Sequence, residues 1–148
     1  MLRKMTGPEF APWAQLFLAE YADDLSANYG FDALRARSEA QQALQAVLPQ
    51  GVETERQVLL VIEHQGECVG YLWYQRNETN AFIMDFLVLP SFRGAGHGRQ
   101  ALAELEAKLA DEGISEVRLR VAADNPRARQ LYEACGYQVT GHNMSKRY

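Results

Sequence analysis

Between residues 89 and 102 the chain reads LPSFRGAGHGRQAL, with Gly94, Gly96 and Gly98 set among Arg93, His97 and Arg99. Glycine has no Cβ, so consecutive backbone amides can turn toward one point there. A helix beginning just beyond adds its free amides and the positive end of its dipole. With two arginines alongside, the chemistry that suits this junction is the holding of a phosphate group. Proton transfer is the second chemistry on offer. Asp85 stands in an otherwise apolar run, AFIMDFLVLP, where an unpaired carboxylate is costly. Pairing with an arginine for purely structural reasons explains it equally well. Glu63 and His64 close another apolar run, and Glu20, Asp23 and Asp24 cluster near the N-terminus, where a solvated helix face is the simplest account of them.

Such groups act together only if the fold gathers them. Trp13, Leu16, Phe17, Tyr21 and Leu25 recur at spacings near three and four, which predicts an amphipathic helix over 8–27. A second helix is predicted over 31–48. QVLLVIEH and ECVGYLWYQR read as strands joined by a turn at Gln65-Gly66, and AFIMDFLVLP as a third strand stopped by Pro90. After the glycines, Leu102, Leu105 and Leu109 mark a helix ending at Gly113. SEVRLRV alternates, with Val117, Leu119 and Val121 inward. DNPRARQLYEACG is a short capped helix whose buried stripe is Ala128, Leu131 and Cys135, leaving Tyr132 one residue off it at the edge of a cleft. YQVTG and NMSKRY read as two final strands. The order α-α-β-β-β-α-β-α-β-β predicts a single α/β (α+β) domain over 1–148 with a mixed central sheet and about four helices.

Composition narrows the function. The chain has 148 residues, 47% apolar and 23% charged, with a formal net charge of -4, as expected of an ordinary soluble domain without general attraction to nucleic acid or membrane. No apolar run approaches the ~18 residues of a membrane span, and a cytoplasmic location is expected. Cys68 and Cys135 follow no disulfide or metal pattern, and His64, His97 and His142 fall in separate segments, so no metal is expected. The junction lacks the terminal Gly-Lys-Ser/Thr of a nucleotide-cleaving loop and is not Gly-x-Gly-x-x-Gly, which argues against a nucleoside triphosphate and a dinucleotide.

FLVLPSFRGAGHGRQAL resembles the coenzyme signature of the GNAT superfamily of N-acetyltransferases, a Val-x-Pro strand end followed by Arg/Gln-x-x-Gly-x-Gly/Ala and a helix. NPRARQLYEACGYQ resembles the later motif of that superfamily, and LPQGVET is similar to a small bacterial subgroup. The resemblance implies a GNAT-like fold with a splayed strand pair, acetyl-CoA as co-substrate, and transfer of its acetyl group to a primary amine in a ternary complex. Residues 81–141 would form the acetyl-CoA-binding core and residues 1–50 the acceptor side. The backbone of Phe86, Leu87 and Val88 would hold the pantetheine arm, with Asn125 assisting. Arg93, Gly94, Ala95, Gly96, His97, Gly98 and Arg99 would hold the diphosphate. Tyr132 would be the general acid toward the leaving thiolate.

The superfamily's glutamate on the strand after the glycine-loop helix has no counterpart here, since Arg120 stands at that place. The general base is therefore open among Asp85, Glu63, His64, Glu20, Asp24 and a water chain. The implied partner is an amine-bearing small molecule or peptide, and a homodimer is compatible with the resemblance. Two other readings make different demands. A catalytically silent acyl-CoA sensor would bind the coenzyme without turnover. A nucleic-acid binder using Arg118, Arg120, Arg127 and Arg129 would show steep salt dependence.

Overall fold

A computed structural model describes residues 1–148. The elements are β1 (Leu2–Lys4), α1 (Gly7–Tyr29), α2 (Ala33–Val47), β2 (Gln57–His64), β3 (Glu67–Arg76), β4 (Asn80–Val88), α3 (His97–Asp111), β5 (Glu116–Leu119) and α4 (Pro126–Ala134). The five strands follow one another in the order β1-β2-β3-β4-β5. Only β4 and β5 run parallel, as a connection through α3 requires.

Strand alternation builds two cores. Leu59, Val61 and Trp73 face α1 and α2, while Leu60, Leu72 and Tyr74 face α3 and α4. The α1 side is anchored by Trp13, which is 0% exposed and meets Trp73 edge-on at 5.6 Å. On the other side Leu102, Leu105 and Leu109 of α3 are buried against the sheet, which is the stripe their spacing predicts.

Two expectations fail at the ends of the chain. Residues 2–4 form β1, a piece too short to show a period of two, and it is held by pairing with Leu60, Val61 and Ile62 of β2. The two strands expected of YQVTG and NMSKRY are absent. Residues 137–148 have no regular structure, and everything from Gln138 onward is exposed. A strand is stabilised mainly by what its side chains pack against, and this segment, broken by Gly141, packs against little.

Two features of β4 shape the site. Trp73 pairs with Asp85 whereas Tyr74 pairs with Ile83, so Met84 is bulged out of the ladder. Ile83 packs with the α3 side and Met84 with the α1 side. The extra residue then sets Asp85 opposite Trp73, on the α1 side as well. Secondly, β4 pairs with β5 only over Asn80–Ile83, and beyond that point the sheet forks. The Leu89 amide donates to the Val69 carbonyl at 2.8 Å. By alternation Leu87 turns its backbone to β3, and Phe86 and Val88 turn theirs into the fork.

Gly70 lets β3 and β4 approach closely at this point. A Cβ there would drive into the Leu87 carbonyl oxygen and come within 3.1 Å of the Val88 Cα, both main-chain atoms. Gly70→Ala is expected to lower stability by ~1–3 kcal/mol in urea unfolding. An unchanged midpoint would show that the strand spacing relaxes freely.

Candidate active site

The fork opens into a cavity of about 880 Å³. One end is the junction before α3. Gly94 and Gly96 have φ of +85° and +84°, in the left-handed region that only glycine adopts without strain, and a Cβ on either would meet nothing within 4 Å. The amides of Phe92 and Arg93 close a short turn onto Leu89 and Pro90, and Gln100 begins the helical ladder by donating to Gly96. Between them, no amide of residues 94–99 donates to any group of the chain. A row of unused donors at a helix N-terminus has the geometry and dipole sign that suit an anion. Arg93, Arg99 and Arg127 line the same cavity. Arg93 also fastens the loop to the strand, since its Nε donates to the Val88 carbonyl at 2.8 Å. Gly98 lies inward, where a Cβ would come within 3.3 Å of Leu131, 3.5 Å of Phe86 and 3.6 Å of Val88. Its smallness seats α3 on the fork.

The cavity also has an acidic lining. Glu20, Asp23 and Asp85 form it, and no cation of the chain comes within ion-pair distance of any of the three. Asp24 is already neutralised by Arg120 at 3.1 Å. Asn28 joins Asp24 to Asp124 at 2.6 and 2.9 Å, tying α1 to the loop before α4. Asp85 has no such partner. Its Oδ2 is shut from solvent without a hydrogen bond. Burial pushes the Asp85 carboxyl up from 3.8 to about 7, the charge of Glu20 adds to this, and the Trp13 side chain and Phe86 amide oppose it. Desolvation at the cavity wall raises the Glu20 carboxyl as well, while Arg93 pulls it back and Asp23 adds to it.

Tyr132 lines the same cavity, 9% exposed and packed edge-on to Phe86 with ring centroids 6.3 Å apart. Its hydroxyl makes no hydrogen bond within the chain. Burial, followed by the charge of Asp85, pushes the phenol up to about 12. Asn125 caps α4 by accepting from the Ala128 amide at 3.1 Å, which leaves its side-chain nitrogen uncommitted.

All the residues expected to contact the coenzyme line the cavity except Ala95, whose amide belongs to the unused row. Of the candidate bases, Asp85, Glu20 and Asp24 line it. Glu63 and His64 do not: Glu63 is paired with Arg3 at 2.8 Å, and His64 lies against His97 with ring centroids 4.7 Å apart and planes tilted by 58°. Three of the arginines considered for nucleic acid are committed elsewhere, Arg118 to Glu116 at 2.6 Å, Arg129 to Glu133 at 2.7 Å and Arg120 to Asp24. No three His, Cys, Asp or Glu side chains come together to hold a metal. Sequence reading missed the apolar wall made by Phe17, Tyr21, Leu44, Val47 and Trp73. The signal was present in α1, where Phe17, Glu20, Tyr21 and Asp24 repeat at helical spacing on one face.

The sequence matches the Acetyltransferase (GNAT) family over residues 14–137. It is 32% identical to an uncharacterised N-acetyltransferase, YycN of Bacillus subtilis, over 99% of this chain and 97% of that protein. The crystal structure of YycN superposes with a TM-score of 0.91, covering 100% of this chain and 98% of the other. An aminoglycoside N(6')-acetyltransferase type 1 of Stenotrophomonas maltophilia is 25% identical over 94% of this chain and 86% of its own length. The fold also matches AAC(6')-Iy in complex with a CoA-containing bisubstrate analogue, with a TM-score of 0.61 at 17% identity over 100% of this chain and 97% of that one.

Proposed function

The chain belongs to the GNAT family of acetyltransferases, and from that premise we propose that it moves an acetyl group from acetyl-CoA to a primary amine by direct attack, with both substrates bound. Acetyl transfer with acetyl-CoA as co-substrate is the chemistry of the family. The observation that carries the reading for this chain is the row of unused amides at residues 94–99 opening into the same cavity as a buried carboxylate with one oxygen unpartnered.

The residues present suit the coenzyme. The amides of residues 94–99, with Arg99 and Arg127 beside them, hold the diphosphate. The Phe86 carbonyl and the Val88 amide, which face the fork, pair with the amides of the pantetheine arm as an added strand would. An amide in this stretch directed at the acyl oxygen lowers the barrier by a few kcal/mol. The Asn125 side-chain nitrogen is free to donate to the arm.

Asp85 takes the proton from the amine. An alkylammonium near 10.4 is only about one part in 10³ neutral at pH 7. Passing its proton to a carboxylate of ordinary acidity is uphill by ~9 kcal/mol, whereas passing it to one near 7 is uphill by ~5 kcal/mol. The burial of Asp85 thus removes nearly half of that cost. Tyr132 serves the sulfur. At about 12 it stays protonated throughout the working range. Part of its reluctance to release a proton comes from the charge on Asp85. Once Asp85 has accepted the amine's proton that opposition is gone, and the phenol becomes the stronger donor as the thiolate departs.

Thiol release from acetyl-CoA in the presence of a panel of amines tests the reading. Coenzyme binding without turnover across a broad panel would overturn it in favour of a silent sensor. Tyr132→Phe is expected to lower turnover by about ten- to a hundred-fold with coenzyme affinity nearly unchanged. Unaltered turnover in that variant would remove Tyr132 from the chemistry.

A further inference from the structure

The acceptor end of the cavity carries more negative charge than one reacting amine can answer. Asp85 lies on β4 at the inner end, with Oδ2 unpartnered. Glu20 and Asp23 lie three residues apart on α1, both exposed and both lining the same cavity, so they mark its mouth. Every other acidic group on this wall is already answered: Asp24 by Arg120 and Asn28, and Asp124 by Asn28. Arg93 lowers the Glu20 carboxyl by its charge but forms no ion pair with it, and its Nε is engaged by the Val88 carbonyl. The same cavity carries an apolar wall of Phe17, Tyr21, Leu44, Val47 and Trp73. Such a wall suits a methylene chain, and its aromatic faces tolerate a passing cation. An acceptor with a carboxylate at its far end would meet like charge at the mouth.

The geometry points to an acceptor with two positive charges at the ends of a short aliphatic chain, one nitrogen presented at Asp85 and the other held at the mouth by Glu20 and Asp23. This rests on the transfer reading above and specifies its substrate class as a diamine-type cation. Three probes of equal chain length separate the possibilities: cadaverine with an ammonium at each end, pentylamine with a methyl at the far end, and δ-aminovalerate with a carboxylate there.

Binding of each probe to the full chain is measured by calorimetry at physiological salt, and thiol release from acetyl-CoA is measured in parallel. Cadaverine is expected to bind about five- to ten-fold more tightly than pentylamine, the range two exposed ion pairs supply, with δ-aminovalerate weakest. Asp23→Asn is expected to bring the cadaverine-to-pentylamine ratio down to about three-fold or less, and the double variant Glu20→Gln, Asp23→Asn to bring it near unity. Both positions are exposed, so the folded state tolerates the changes, and a thermal melt of each variant verifies this. Equal affinity for cadaverine and pentylamine, a ratio untouched by Asp23→Asn, or no binding of any probe overturns the inference. Selective cadaverine binding without thiol release overturns the transfer reading instead and leaves the two-charge site standing.

Discussion

Replacing Asp85 by asparagine is expected to make the protein more stable and nearly inactive at once. The carboxyl stands at about 7 in the fold against 3.8 in the unfolded chain. Because the folded-state value is raised, the folded protein binds this proton more tightly, and stability falls as pH rises from about 4 to about 7, then levels off. Above that window the buried charge costs the fold up to ~4 kcal/mol. Asp85→Asn removes the cost, so its melting temperature exceeds that of the parent at pH 8 and loses the advantage near pH 4. For the parent, log kcat/KM should climb with unit slope up to about pH 7 and then run flat toward the pKa of the amine itself. The variant should lose the break near pH 7, its rate rising with the fraction of neutral amine toward the amine's own pKa, and should lose about 10²–10⁴ of its rate at neutral pH. Thermal melts across pH together with pH–rate profiles check both halves. A variant that is less stable at pH 8, or that keeps the break near pH 7, would sink the assignment of Asp85 as base.

The second large effect is expected at Gly96. Glutamate there sets a carboxylate before amides that have no other partner, at a φ of +84°. Open space around the Cβ means the fold should survive, at a strain of about 1–2 kcal/mol. Coenzyme affinity should drop by about a hundred-fold or more, because like charge opposes the phosphates and their donors are screened. Gly96→Ala separates the contributions, carrying the same backbone strain without the charge. Equal coenzyme affinity in Gly96→Glu, measured by calorimetry, would mean that the phosphates lie elsewhere.

What could be read along the chain was whatever is local. The glycines, the prolines at Pro90 and Pro126, and the leucine stripe of α3 announce their structures within a few residues, and all lie where their pattern places them. The face on which Asp85 emerges is not local. Plain alternation from Ile83 would send it toward α3 and α4, and the bulge at Met84, which exists only because β4 pairs with β3 in a particular register, sends it toward α1. The acidic face of α1 was visible as a face, but what it looks onto depends on α1 crossing the sheet. The C-terminal segment erred in the opposite direction, since YQVTG and NMSKRY carry residues that strands favour and lack the buried surface that would make strands of them.

The polarity of the cavity also governs how a catalytic cycle would close. An acetylated nitrogen is a neutral amide, so carboxylates that favour an arriving ammonium keep no comparable grip on what has been made from it. Asp85 would then favour exchange of spent acceptor for fresh, because a singly acetylated product keeps only the far charge that Glu20 and Asp23 answer.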